Sequence, residues 1–248
     1  MADWCSANYR FYADTEKGKK DLKDLYEKFA AAIAHSRKRV LQSGFGDAWL
    51  GNIILECCPQ FLHLSQEDVY CRYKGKRIPF GGFVSLLALH NEDPDNITIT
   101  VETETRYEPM PDMWDMILTA LEYTDIKYVF IAEELVDEIF VNTDIEGRFF
   151  SSKYRTEVYL SDNYYCNDIQ YFNCDKDLLT YLNDVIKDVR EEYKRYPERY
   201  TLPEGFTFKN LRKQRSIPKA LQTIEDNLFE WNGCQGYIKF AEYDTSWG

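Results

Sequence analysis

Alternating apolar and polar positions define the clearest strand of the chain. From Ile97 to Tyr107, odd-numbered positions carry Ile, Val, Thr and Tyr, and even-numbered positions carry Thr, Glu and Arg. Because successive side chains of a strand point to opposite faces, this pattern predicts one buried face and one polar face. Similar alternation predicts a first strand at 7–13, and β-branched and aromatic residues predict further strands at 126–132 and 154–160.

Apolar residues spaced three and four positions apart predict helices between these strands. Leu22 and Phe29 belong to one such stripe, and the charged residues between them are expected to face water. Pro111 is placed to open a second helix, because proline is favoured at the first helical position. Two more helices are predicted in the last third of the chain, one beginning at Asp175 and one over 218–229.

The predicted order of elements indicates the fold class. Strand, helix, strand, strand, helix, strand is the order of a ferredoxin-like split βαβ unit. We therefore predict an α+β fold with an antiparallel sheet, helices on one face, and the other face open to solvent or a partner. A polar break divides the chain into a ferredoxin-like domain at 1–162 and a smaller α+β extension at 163–248. Residues 136–141 and 148–150 are predicted to pair as a hairpin.

The composition narrows the class of protein. Hydrophobic residues make up 44% of the 248 residues and charged residues 29%, as in an ordinary folded domain. No apolar run approaches the roughly 18–20 residues that span a membrane, and the N-terminus lacks the order of a secretory signal. The seven cysteines form no C-x-x-C pair and the three histidines lie far apart. We therefore expect a reduced, cytoplasmic protein with no zinc site, no other metal and no cofactor.

The negative charge is concentrated in one quarter of the chain. The segment from Asn91 to Phe150 holds 16 of the 42 acidic residues and only 3 of the 30 basic ones, a net charge of −13 against −12 for the whole protein. The remaining residues are almost neutral. Charge concentrated in one segment of a folded chain produces a directional field, which favours particular partners.

The candidate binding site consists of carboxylates in this segment. Two lie on the polar face of the predicted strand at 97–107, one follows that strand, and four lie on or just after the strand at 126–132. If these strands pair, the carboxylates form a ridge that could dock a basic protein. The other interpretation is a solvated sheet face that resists aggregation. The residues are Glu102, Glu104, Glu108, Glu133, Glu134, Asp137 and Glu138.

The same sequence leaves three other functions open. Paired carboxylates also serve as general acid and base, but that chemistry needs a concave site with divergent pKa values. Asp93, Asp95 and Asn96 offer oxygen ligands, although Asp-Pro-Asp-Asn is more typical of a turn. Basic clusters at 37–39, 72–77 and 209–215, together with the aromatic-rich sheet, allow a small-ligand, nucleotide or nucleic-acid binding module as the alternative. Net charge disfavours nucleic acid, because phosphate is repelled at long range.

Seven stretches of the chain share their sequence pattern with one family: 1–6, Ala48–Ile53, Val69–Arg72, Thr103–Thr105, Pro109–Asp115, Ile131–Glu134 and Asn142–Asp144. These stretches resemble the YubB ferredoxin-like family of plasmid, phage and mobile-element proteins. The similarity runs over roughly 1–160 and is weaker beyond. Leu135 stands where many members carry glycine, and a tryptophan–glycine–threonine–lysine–tryptophan block of some members is missing.

The resemblance implies a ferredoxin-like fold and a phage or mobile-element setting, and it transfers no catalytic residue. With the charge pattern, it leads us to expect a non-enzymatic accessory protein with no catalytic site. Such a protein would present its acidic surface at 91–150 to a basic protein partner, for example in countering host defence, and would not act at a membrane.

Overall fold

The structure is a computed structural model that describes most of the chain. The described residues are 4–34, 48–64, 69–93, 96–136, 138–160, 165–200, 202, 204–228, 230–231 and 234–247. The chain divides into two compact units, one formed by Met1–Ile145 with Asp244–Gly248 and the other by Glu146–Tyr243. Each unit has its own cluster of buried hydrophobic residues.

The first unit mixes helices with short and long strands. Its elements are β1 (Trp4–Ala13), α1 (Glu16–Ala34), α2 (Leu50–Cys57), β2 (Leu62–Leu64), β3 (Val69–Tyr73), β4 (Lys76–Ile78), β5 (Gly82–His90), β6 (Thr98–Arg106), α3 (Pro111–Ala120), β7 (Ile126–Glu134) and β8 (Ile139–Asn142). The α+β class and the main strands and helices predicted for this region are therefore confirmed.

A five-stranded antiparallel sheet organises the first unit. Its strand order is β5-β6-β1-β7-β8, so β1 lies at the centre between β6 and β7. Strands β2, β3 and β4 form a separate small sheet. The chain returns to the large sheet near its end, where Asp244 exchanges main-chain hydrogen bonds with Phe140 and Asn142 of β8.

The buried face of the large sheet packs against helices. Tyr9 and Phe11 of β1 are fully buried, and both contact the ring of Trp114 on α3 at centroid distances of 5.4 and 5.5 Å. Phe11 also contacts Phe29 of α1. The Tyr9 hydroxyl accepts a hydrogen bond from the Met110 N–H at 3.0 Å. The alternation seen in the sequence thus turns one face of each strand into the core, as hydrophobic burial requires.

The second unit contains a three-stranded sheet covered by a long helix. Its elements are β9 (Tyr154–Leu160), β10 (Tyr165–Phe172), α4 (Asp175–Arg195), α5 (Ile217–Glu225), β11 (Glu230–Trp231), β12 (Cys234–Gln235) and β13 (Tyr237–Glu242). The sheet order is β10-β9-β13, and all pairs are antiparallel.

Two sequence-based expectations differ from this arrangement. The hairpin predicted for 136–141 and 148–150 is wrong, because β8 pairs with β7 and residues 148–150 form no strand. Two apolar runs on either side of a turn predict a hairpin. They do not show that an earlier strand, here β7, pairs with β8 instead. The predicted division at residue 162 separates β9 from β10, which pair with each other in the second unit.

Candidate functional site

The face of the large sheet opposite α1 and α3 carries most of its polar side chains. Ser6 on β1 lies opposite Glu104 of β6 on one side and opposite Glu133 of β7 on the other. Two residues further along β1, Asn8 lies opposite Glu102. Because strands in a sheet are about 4.8 Å apart, β1 separates Glu104 from Glu133 by roughly 10 Å.

Hydrogen bonds from β1 hold the two glutamates of β6. The Ser6 hydroxyl lies 2.8 Å from both carboxylate oxygens of Glu104, to which it donates. Asn8 Nδ2 donates to Glu102 Oε1 at 3.0 Å. All three glutamates of this face, Glu133 included, are half-buried. The orientation of Glu102 and Glu104 is therefore set before any partner arrives.

The other predicted site residues do not join this row. Glu134 points to the opposite face, where it is 1% exposed and its Oε1 accepts the Val136 N–H at 2.8 Å. Glu108 and Glu138 are exposed in turns, after β6 and before β8. Asp137 lies outside the described residues. Of the seven predicted carboxylates, three therefore share one sheet face.

Exposed apolar side chains surround these carboxylates at one end of the sheet. Trp4, at the start of β1, is 39% exposed, and its ring contacts that of Phe83 on β5 at 5.8 Å. Phe83 lies opposite Glu104. In the turn that follows β7, Leu135 and Val136 are 56% and 67% exposed. Exposed apolar side chains that cluster within a polar rim mark a place where other molecules bind, whereas single ones do not.

We call this region the acidic-aromatic end and define it by Trp4, Glu104, Glu133, Leu135 and Val136. Residue-by-residue reading of the sequence missed its apolar members. Two sequence signals could have found them. Leu135 and Val136 directly follow a run that is already long enough to form a strand, and an aromatic residue, Trp4, stands at the first position of β1.

The other end of the same sheet face has a different chemistry. The guanidinium of Arg10 on β1 donates to the Thr100 hydroxyl, and His90 Nε2 lies 2.7 Å from the same oxygen. Partial burial lowers the pKa of Arg10 from its ordinary value, and the negative charge of Glu102 opposes that effect. The face thus carries carboxylates at one end and basic side chains toward the other.

The described residues contain no metal-binding cluster, and the two basic clusters that are described belong to separate elements. Within the described ranges, no group of three His, Cys, Asp or Glu side chains could hold a metal ion. Asp93 and Asn96 are joined by a turn hydrogen bond, whereas Asp95 lies outside those ranges. The basic cluster at 72–77 belongs to β3 and β4, the cluster at 209–215 belongs to the second unit, and 37–39 is not described.

The buried cysteines are not set up as nucleophiles. Burial raises the pKa of Cys5 and of Cys71 to about 12, and it raises the pKa of Cys58 further. All three are free thiols with no measurable exposure. Because the thiolate is the reactive form, these side chains act as small apolar residues of the core.

Comparison with known proteins adds no assignment. No protein-family model, curated protein or solved structure matches the chain. Among the helices that the structure describes, none has the length and apolar character needed to cross a membrane.

Proposed function

We propose that the first unit is a non-enzymatic docking module whose acidic-aromatic end binds a basic protein partner. The observation that carries the proposal is that Glu104 and Glu133 lie on one sheet face, roughly 10 Å apart, with exposed Trp4, Leu135 and Val136 at the same end of the sheet. Carboxylates attract a basic partner and fix its orientation. Exposed aromatic and aliphatic side chains supply the contact area from which most of the binding energy comes.

The local geometry favours lysine and arginine as the partner's contact residues. Trp4 lies opposite Arg106 of β6, and its ring contacts Phe83, which lies opposite Glu104. A cationic side chain at Glu104 can therefore also meet these aromatic rings. Cation–π contacts add to the charge pairing when the site loses water. Because Ser6 and Asn8 already hold Glu104 and Glu102, binding loses less side-chain freedom than it would with free glutamates.

The setting of this activity is part of the same proposal. Two features support a ferredoxin-like arrangement. The strand order is β5-β6-β1-β7, and along the chain α1 follows β1 and α3 connects β6 to β7. The resemblance to the YubB group supports a phage or mobile-element accessory protein, with countering host defence as its role. Free thiols among the described cysteines support a reducing, cytoplasmic environment.

A charge-reversal pair tests the docking surface. The chain would be immobilised and exposed to a cell lysate, and bound proteins would be eluted by a rising salt gradient. We expect Glu104→Arg with Glu133→Arg to lose proteins that the unchanged chain retains, because like charges repel at the former contact. The matched control is Glu27→Arg with Glu122→Arg, which makes the same change in net charge at exposed positions outside this end.

The pattern of capture decides the outcome. The proposal predicts basic proteins that are held by the unchanged chain and the control, released by salt, and lost with the reversal pair and with Trp4→Ala. Salt releases such contacts because ions screen the attraction between charges. Equal capture by the reversal pair and the control would show that this end is not the docking surface.

An anionic small ligand such as a nucleotide is the second candidate. It is favoured by Arg10, whose Nε is buried without a hydrogen-bond partner among the described residues, and by His90 on the same sheet face. A ligand of this kind would raise the unfolding temperature of the chain, and Arg10→Gln would abolish the shift. Charge reversal at Glu104 and Glu133 would leave this shift in unfolding temperature unchanged.

A further inference from the structure

Strand β8 covers only the second half of β7. The two strands pair over Ile131–Glu134, and Thr143 closes the pairing at Phe130. The Thr143 N–H donates to the Phe130 carbonyl at 2.9 Å, and the Phe130 N–H donates to the Thr143 hydroxyl at 2.8 Å. Toward its start, at 126–129, β7 has β1 on one side and no described strand on the other.

This uncovered half of β7 presents main-chain groups for pairing. The N–H and C=O of Phe130 both point away from β1, toward Thr143. Because the pointing direction alternates with every residue in an antiparallel strand, the N–H and C=O of Tyr128 point to the same side. In the part of the chain that the structure describes, no main-chain group bonds them there. An unpaired strand edge of this kind is a template for another strand.

A groove of about 430 Å³ lies directly beside this edge. One wall is formed by α3, through Asp112, Asp115 and Leu118, and the other by Tyr128 and Phe130 of β7 with Trp247. The size is within the range of ordinary binding pockets, which is roughly 300–1,000 Å³. Trp247 is 38% exposed, so part of its ring is open to an occupant. The groove therefore provides apolar surface next to the unpaired main-chain groups of β7.

The groove also carries net negative charge. Tyr128 donates its hydroxyl proton to Asp115 Oδ1 at 2.8 Å, and burial together with the charges of Asp115 and Asp112 raises the pKa of Tyr128. Both aspartates are exposed. Lys127 lines the groove too, but its ammonium is paired with Asp14 at 2.9 Å. Two carboxylates beside aromatic rings are suited to a cationic side chain.

We propose that the edge at Tyr128 and the adjoining groove bind an extended, lysine- or arginine-containing peptide segment of a partner protein. The segment adds a strand in line with β8, pairs with the main chain of Tyr128, directs a basic side chain to Asp112 and Asp115, and rests an apolar side chain on Leu118 and Trp247. Strand addition of this type draws affinity from main-chain hydrogen bonds and specificity from alternate side chains.

This site is separate from the acidic-aromatic end. It lies at the start of β7, five residues before Glu133, which corresponds to roughly 17 Å along a strand. Its groove also lies on the helix side of the sheet, whereas Glu133 points to the other face. Either site can therefore fail its test without affecting the other.

The experiment uses a defined peptide as the probe. A fluorescein-labelled heptapeptide would carry lysine, valine and lysine at its second, fourth and sixth positions and threonine elsewhere, and anisotropy would report its binding to the full chain. A second peptide of the same sequence, N-methylated at its three central residues, keeps the charges but loses main-chain donors. A third replaces both lysines by glutamate. We expect saturable binding of the first and at least roughly tenfold weaker binding of the other two.

Protein variants separate the two contributions to binding. Asp112→Asn with Asp115→Asn should weaken the first peptide roughly tenfold, because asparagine keeps the size and removes the charge. Glu122→Gln, just beyond α3 and outside the groove lining, is the matched control and should bind as the unchanged chain does. Glu104→Arg with Glu133→Arg should also leave this binding intact.

Amide hydrogen exchange reports main-chain hydrogen bonding, which attraction between charges alone would not change. Saturation with the first peptide should slow exchange at Tyr128, whereas Val101, already inside the sheet, should not change. Three results would overturn the proposal: no saturable binding of the first peptide, equal binding of the N-methylated peptide, or no change in exchange at Tyr128 on saturation. The second and third results would mean that the peptide adheres by charge only.

Discussion

Adjacent glutamates at the end of β7 show how side-chain direction decides the use of a residue. Glu133 points to the open face, where it forms part of a candidate docking surface. Glu134 points into the protein, where its carboxylate accepts the N–H of Val136 and shapes the turn that exposes Leu135. The same residue type therefore serves a surface at one position and a turn at the next, because strand side chains alternate between faces.

Cysteine reactivity provides a prediction at the residue scale. Cys5, Cys58 and Cys71 are fully buried with raised pKa values, whereas Cys174 is partly exposed. We expect iodoacetamide at pH 8 to modify Cys174 at least roughly tenfold faster than the other three, because the reagent needs an accessible thiolate. Mass spectrometry of digested protein measures the rate at each site.

Denaturant supplies the control for that measurement. In concentrated guanidinium all four thiols should react at similar rates. Modification of Cys58 as fast as Cys174 in the folded protein would contradict the burial of Cys58.

The same thiols make the stability of the protein depend on pH. Cys5 and Cys71 have a pKa near 12 in the folded protein, against 9.0 for a free thiol, so they keep their protons at pH values where the unfolded chain releases them. Their contribution to stability is therefore complete below about pH 9 and declines as pH rises toward about 12.

At the scale of elements, contact between β5 and β6 depends on glycine. A Cβ atom at Gly82 would lie 2.3 Å from the Glu104 carbonyl oxygen and 2.9 Å from Thr105 Cα. The strands can approach this closely only without a side chain at that position. This contact places Phe83 opposite Glu104 and beside Trp4, so it also supports the acidic-aromatic end.

Two neighbouring glycines allow a matched test of this contact. Gly82→Ala should lower the free energy of unfolding by about 1–3 kcal/mol, because the β5–β6 pair must shift to admit the methyl group. Gly81→Ala should change it by less than about 1 kcal/mol, since the nearest atom to its Cβ is Arg106 Cδ at 3.8 Å. Urea unfolding followed by circular dichroism measures both. Equal effects of the two substitutions would contradict the close approach at Gly82.

At the scale of the whole molecule, two hydrophobic cores organise the chain. The first includes Leu22 of α1 and Trp114 of α3, and the second includes Leu182 of α4 and Val158 of β9. The first unit is discontinuous, because the chain leaves it at Ile145 and returns at Asp244 to pair with β8. Both proposed binding sites lie in that unit.

Separate cores predict separate responses to mutation. Leu182→Ala should lower the free energy of opening in the second unit by about 2–5 kcal/mol, because it removes buried methyl groups and leaves a cavity. Leu22→Ala should have the corresponding effect in the first unit. Native-state hydrogen exchange would follow amides in β6 for the first unit and in α4 for the second. Loss of protection in β6 after Leu182→Ala, equal to that in α4, would show that the units open together.

The sequence by itself determined most of the long elements and the α+β class of the fold. Alternation at 97–107 predicted β6, the stripe of Leu22 and Phe29 predicted α1, and Pro111 marked the start of α3, because these signals arise from contacts within one element. The count of charged residues along the chain, which is also a local property, located the acidic segment. These features follow from spacing along the chain, which the sequence states directly.

Tertiary structure alone decided which of those residues meet. The central place of β1 brings Ser6 between Glu104 and Glu133, residues that lie about a hundred positions or more from it in the sequence. It also turned Glu134 inward, left the edge at Tyr128 uncovered and paired β8 with β7. The physical reason is that strand order and register depend on how whole faces are buried together, a non-local choice that no single segment encodes.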